Sequence, residues 1–398
     1  VGRLIERFRS ERAAILAELT VATPEERDVL ARRLERLFID LKIFQPHLTP
    51  FVRDASTESG RLGLQVIIES LVKTLLPKGA DPVLHLEERH LYATMDLARS
   101  LRNLWDQLPS AGVDDTLWEW DSGPPVVFFV PDLDPDNAMY LPILAHEVGH
   151  QAVWQSDLGN KVMAACAQDL QPLFDQALAS NEGLQAHPLR RQLRLWVDEI
   201  ICDALAAVLC GPGFLFAAAA FLPVSSTGTV DSTHPFPRER VRLTLELLRD
   251  RGWTDVLDQA PGVIGWLDAV SVRNAPESAR EGFLLGALDV AAPHVRRIAL
   301  EHLSGAGLDP ADFMNLQDEL RRLLEKGVPP AQVAGKPVGH WNIVAAAWLH
   351  RISAGGDSPR SVAQGAADAL TNGRVLKAIE LARIVELWEE EGAHDAGA

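Results

Sequence analysis

The stretch LPILAHEVGHQAV, Leu141 to Val153, decides how this chain is read. His146 and His150 stand four residues apart, and Glu147 directly follows the first. Leu141, Ile143, Leu144, Val148, Ala152 and Val153 around them are apolar, a pattern that predicts a buried helix. On a helix, residues four apart share a face, so both imidazoles point the same way. Two imidazoles and a carboxylate inside an apolar helix are costly unless their polar atoms are satisfied, and a metal ion satisfies all three together. Neutral imidazole nitrogens suit zinc. Glu147, one residue past the first ligand, is placed to reach a water on the metal rather than the metal itself, and so to serve as general base.

A catalytic zinc takes three protein ligands and keeps one position open. The stretch WVDEIICDALAAVL, Trp196 to Leu209, supplies the third on a second helix. Glu199 and Asp203 are again four apart, and Ile200, Ile201, Leu205 and Val208 leave little polar face for them. Glu199 is expected to bind the metal. Asp203, one turn on, is expected to accept the free ring N–H of His146 and fix its tautomer. Asp198 is expected to be exposed.

A third stretch follows in STHPFPRERV, Ser232 to Val241. His234-Pro235 stiffens a turn ahead of a helix that carries Arg240. Either side chain near the metal could hold the oxyanion of a tetrahedral intermediate. A Pro-initiated helix start with solvated arginines is the alternative. Tyr140 is a weaker oxyanion candidate, expected to pack.

The order H-E-x-x-H, E-x-x-x-D, T-H-P-x-x-x-x-R-V resembles the gluzincin metallopeptidases of the HtpX and CAAX-prenyl endopeptidase type. The resemblance rests on His146–His150, Glu199–Asp203 and Thr233–Val241, and covers about a third of the chain. It implies a zincin-like core in which His146, His150 and Glu199 bind zinc and Glu147 is the base. It further implies that Asp203 supports the site and that His234 and Arg240 lie beside the cleft. Members of that family usually carry transmembrane helices and this chain shows none, so it looks more like soluble relatives with helical extensions.

Composition agrees with a globular protein. The chain has 398 residues, 47% apolar and 23% charged, enough for two or three domains. A net charge of −17 disfavours nucleic acid and anionic membrane surfaces as partners. Three cysteines without a C-x-x-C spacing suggest neither a disulfide framework nor a cysteine zinc site, and fit a reducing, cytoplasmic setting. The uncharged run Ala204–Val224 is long enough to span a bilayer. Gly211-Pro212-Gly213 interrupts it, which reads as two buried helices joined by a turn.

The expected architecture is mainly α: an N-terminal helical region over 1–115, a zincin-like core with a short β-hairpin or small sheet over 116–253, and a C-terminal helical region over 254–398. Thr23-Pro24-Glu25-Glu26 marks a helix start, and helices are expected at Arg61–Leu76 and Pro82–Gln107. LWEW and VVFFV read as strands about the turn at Asp121–Pro125, and Gly159 reads as the end of the His146 helix. Asp309-Pro310 starts a helix that Gly327 stops.

The function these features imply is a zinc-dependent peptidase acting on peptide or protein substrates. An extended substrate is expected to pair with the strand Val126–Val130. The helical flanks allow a protein partner, and the alternative is a non-catalytic interaction or sensor protein built on a zincin core.

Overall fold

Thr23 and Glu26 close a reciprocal cap. The Thr23 backbone N–H donates to Glu26 Oε2 at 2.8 Å, and the Glu26 N–H donates to Thr23 Oγ1 at 3.4 Å. That cap separates α1 (Gly2–Val21) from α2 (Pro24–Ala55), as the sequence predicts. The computed structural model describes residues 2–55, 62–87, 92–96, 99–100, 125–131, 137–180, 184–222, 233–272, 275–353 and 368–396. Across them the chain is mainly helical with a small sheet. It divides into two compact units, Val1–Gly60 with Lys78–Pro135, and Arg61–Pro77 with Asp136–Ala398.

In the first unit, α1 packs on α2 around Ile15 and Leu30, and α2 packs on the sheet. The sheet holds β1 (Asp81–Glu87), β2 (Ala93–Asp96) and β3 (Pro125–Pro131) in the order β1-β3-β2. β1 runs parallel to β3, with Leu84 opposite Phe128; β2 runs antiparallel, with Thr94 opposite Phe128. Two expectations are corrected here. Residues 81–87 and 93–96 are strands, not parts of a helix from Pro82 to Gln107. Local propensity for helix is overridden by pairing with a partner some forty positions away. And Val126–Val130 is the central strand, with a neighbour on each side, so its backbone has no edge to offer a substrate. LWEW lies outside the described residues.

The second unit is built around one helix. In chain order its helices are α3 (Leu62–Leu75), α4 (Leu141–Gln155), α5 (Leu158–Ala165), α6 (Ala167–Ser180), α7 (Ala186–Cys210), α8 (Pro212–Phe221) and α9 (Pro237–Asp250). They continue with α10 (Thr254–Leu257), α11 (Pro261–Val270), α12 (Ala279–Leu303), α13 (Pro310–Glu325), α14 (His340–Ser353) and α15 (Asp368–Ala396). α7 contacts α4, α5, α8, α9, α12 and α14. From Trp196 to Cys210 nearly every residue is buried, the pattern of a helix enclosed on all sides. No helix among the described residues is long and apolar enough to cross a membrane. The uncharged run resolves instead into the end of α7 and all of α8, joined at Gly211, whose φ of +58° most side chains would disfavour.

Asp309 caps α13 by accepting from the N–H groups of Ala311 and Asp312, and Gly327 at φ +74° follows its end, as predicted. α4 ends earlier than expected. Its C-cap is Ser156, Asp157 takes a left-handed φ of +52°, and Gly159 lies inside α5. Gly159 is there for space: a Cβ on it would strike the side chains of Arg194 and Asp198 on α7.

Candidate metal centre

α4 and α7 lie side by side and pair their polar residues in antiparallel order. His146 Nδ1 is 2.8 Å from Asp203 Oδ1, and one turn along His150 Nε2 is 3.5 Å from Glu199 Oε1. His146 Nε2 is 3.5 Å from Glu199 Oε2. Gly149 permits this approach. A Cβ there would meet Cys202 Cα and Cβ at 3.1 Å, so any larger residue would press the two backbones apart.

His146, His150 and Glu199 therefore form a group that could hold a metal ion: one ligand atom from each lies within 4.8 Å of the others. It is the one such group among the described residues. Its electrostatics fit a cation. Glu199 Oε2 is buried without a hydrogen-bond partner, 3.5 Å from His146 Nε2 and 3.6 Å from Arg240 Nη1. Burial works against a charged His146, and so does Arg240, yet the carboxylates of Asp203 and Glu199 hold it up to about 9. The proton it keeps supplies positive charge to the carboxylate group, and a metal ion would replace it. Burial also opposes the charge on Glu199, but His146 and Arg240 bring it down to about 2. His150 has no carboxylate bonded to its Nδ1. Burial, together with the charge on His146, pushes it down to about 4 and leaves it a neutral imidazole.

Asp203, whose Oδ1 lies 2.8 Å from His146 Nδ1, is also held by Arg240. Arg240, on α9, donates from Nε to Asp203 Oδ2 at 2.8 Å and from Nη2 to Oδ1 at 2.7 Å, a fork-on-fork pair. Its Nη1 is 3.6 Å from Glu199 Oε2, and Nη2 lies 3.3 Å from both ring nitrogens of His146. Arg240 is buried and fully engaged with the carboxylates, whereas a solvated arginine would be exposed. His234 is different: its side chain is 51% exposed, with Nε2 3.7 Å from Glu199 Oε1 and Nδ1 2.8 Å from Thr233 Oγ1. Together with the part-exposed His150 it marks the open side of the group.

Glu147 is half-buried beside His146, and burial pushes its carboxyl up from the ordinary range. Tyr140 packs, with its ring edge-on to Phe221 at 6.0 Å. Asp198 is only part-exposed and pairs with Arg194. One turn outward from His150 and Glu199 on the same two helices stand Trp154 and Leu195, 52% and 37% exposed.

Three contributors were not read from the sequence. Phe214 of α8 lies parallel to the His146 ring, with centroids 6.4 Å apart. Gly149 could have been noticed as the small residue inside the motif. Cys202 could not, because its value depends on which residue of α4 lies opposite. Comparison with protein-family models, curated proteins and solved structures finds no match to this chain.

Proposed function

We propose that the protein is a zinc-dependent metallopeptidase with a zincin-like core, related in its site to the gluzincins it resembles. The observation that carries this reading is the convergence of His146, His150 and Glu199 from two helices, with a carboxylate oxygen of Glu199 left without a hydrogen bond. Two imidazole nitrogens and one carboxylate oxygen are the donor set of catalytic zinc, and three ligands beside an exposed flank leave room for a fourth partner. When bound, such a cation supplies Lewis acidity, lowering the pKa of water at the site toward ~7 and taking up negative charge on a carbonyl oxygen.

The chain's own residues do the rest. Glu147 takes the proton from the attacking water and hands it to the leaving amine. Its raised carboxyl pKa brings it nearer the neutral range, where one group can serve as both base and acid. Asp203 fixes the His146 ring by accepting from Nδ1, and Arg240 holds Asp203 and neutralises part of the buried negative charge. Arg240 is thus a positioning residue. His234, exposed at the mouth, is the better donor to a developing oxyanion. Trp154 and Leu195 give the approach an apolar rim suited to polypeptide side chains. The three cysteines are buried and unpaired, which fits a reducing compartment.

Bound zinc and cleavage of unfolded protein substrates, measured together, test this. Glu147→Gln should keep stoichiometric zinc and lose cleavage by at least ~100-fold, the range of general-base contributions. His150→Ala should lose both. Wild-type protein that binds zinc and cleaves nothing in a diverse peptide library would favour a sensor or interaction protein instead.

A further inference from the structure

The two histidines of the group are supported unequally, and the weaker support has a residue attached to it. His146 Nδ1 meets a carboxylate, Asp203. His150 Nδ1 meets the thiol of Cys202, with Sγ 3.4 Å away. Cys202 is fully buried on α7, next to Asp203 and three residues after Glu199, and its side chain fills the space that Gly149 leaves open. A thiol offers both a weak donor and a weak acceptor.

From this geometry we infer that Cys202 is a positioning residue for His150: its sulfur holds the ring in place and accepts from Nδ1–H when the Nε2 lone pair is turned to the metal. The inference rests on the metal-centre reading above. A neutral imidazole carries one N–H, on Nδ1 or on Nε2. With the proton on Nε2, the ring donates toward Glu199 Oε1 and the cation site is blocked on that side. The thiol S–H then donates to Nδ1. With the proton on Nδ1, that N–H donates to Sγ, and the Nε2 lone pair faces the group. Cys202 can partner either state, because the thiol can turn from donor to acceptor without moving its sulfur. The thiol fixes the ring plane in either state.

The test compares wild type, Cys202→Ala and Cys202→Ser. Zinc affinity is read by chelator competition, and the His150 tautomer by the nitrogen shifts of the histidine side chains with and without zinc. Cys202→Ala should weaken zinc by about 10-fold, the lower end of the effect of removing a residue that orients a metal ligand. It should also broaden or shift the His150 ring signals while leaving those of His146, which Asp203 holds, in place. Cys202→Ser restores a donor and acceptor of similar size and should recover most of the affinity. Both variants should melt cooperatively, which separates positioning from misfolding. Unchanged zinc affinity and unchanged His150 signals in Cys202→Ala would overturn the role of Cys202 while leaving the metal centre intact. Failure of the wild type itself to bind zinc would overturn both.

Discussion

Burial opposes the charge on three histidines of this protein, and only where carboxylates outweigh it does the imidazole stay charged. His146 is buried and rises to about 9 because Asp203 and Glu199 face it. His150 falls to about 4 through burial and the charge on His146, which outweigh the Glu199 carboxylate beside it. His340, at the start of α14, bonds Ser70 Oγ of α3 at 3.1 Å with no carboxylate to offset burial, and it too falls to about 4. His340 lies apart from the candidate metal ligands, so its linkage to folding is the simplest to measure. Its unfolded value is near 6.5. Between that value and about 4, the unfolded chain binds a proton that the folded chain does not, so stability falls as the solution is acidified through this window. His340→Gln keeps a polar partner for Ser70 and cannot titrate. Urea midpoints at pH 7 and pH 5 should fall less in His340→Gln than in wild type. An equal fall in both would mean that His340 titrates normally in the folded state.

At the scale of elements, the site depends on how closely α4 and α7 approach. Gly149 and Gly159 both face α7, and they differ in what a methyl group would meet. At Gly149 the obstacle is the backbone of Cys202, 3.1 Å from where a Cβ would stand; at Gly159 it is the charged ends of Arg194 and Asp198. Side-chain ends can swing away and a helix backbone cannot. Gly149→Ala should therefore destabilise the protein by about 1–3 kcal/mol, the usual cost of overpacking, and weaken metal binding. Gly159→Ala should cost less and leave metal binding near wild type. Thermal melts and chelator titrations of the pair check this, and equal effects would show that helix spacing is not the controlling variable. The same distinction explains what was legible in the sequence. The ligand pairs and caps are local: four-residue spacing places His146 with His150 and Glu199 with Asp203, and Thr23 or Asp309 announces its own helix. β1 and β2 were hidden because their residues suit a helix and only pairing with β3 makes them strands. Cys202 was hidden for a related reason, since its partner is on another helix. Arg240 was placed near the site by its motif, but that it grips Asp203 follows only from the packing of α9 on α7.

At the scale of the molecule, the helices after residue 253 belong to the same compact unit as His146, His150 and Glu199. α14 shows this best. Trp348 is fully buried, its ring lies 6.0 Å from that of Phe216 on α8, and its Nε1 donates at 2.9 Å to the carbonyl of Met139. Met139 sits in the 3-10 turn Ala138–Tyr140 that leads into α4, so a residue 209 positions along the chain holds the entry to the helix that carries both histidines. α15 packs on α14 and α3, burying Val375, Ala378 and Ile379, and α3 in turn packs on α4. The C-terminal helices therefore constrain α4 at its start, while α7 constrains it along its length. Removing the indole should loosen the first constraint without touching a ligand. Trp348→Phe keeps most of the packing and leaves the Met139 carbonyl short of a partner, at a cost of about 1–3 kcal/mol. Trp348→Ala adds a core cavity and should cost about 3–5 kcal/mol. If α14 and the metal centre form one cooperative structure, both variants should lower the melting temperature in that order. In Trp348→Ala, zinc should also be released at the same temperature at which the helices melt. Zinc retained beyond the loss of helical signal would show that α4 and α7 hold the ligand group without help from the C-terminal helices.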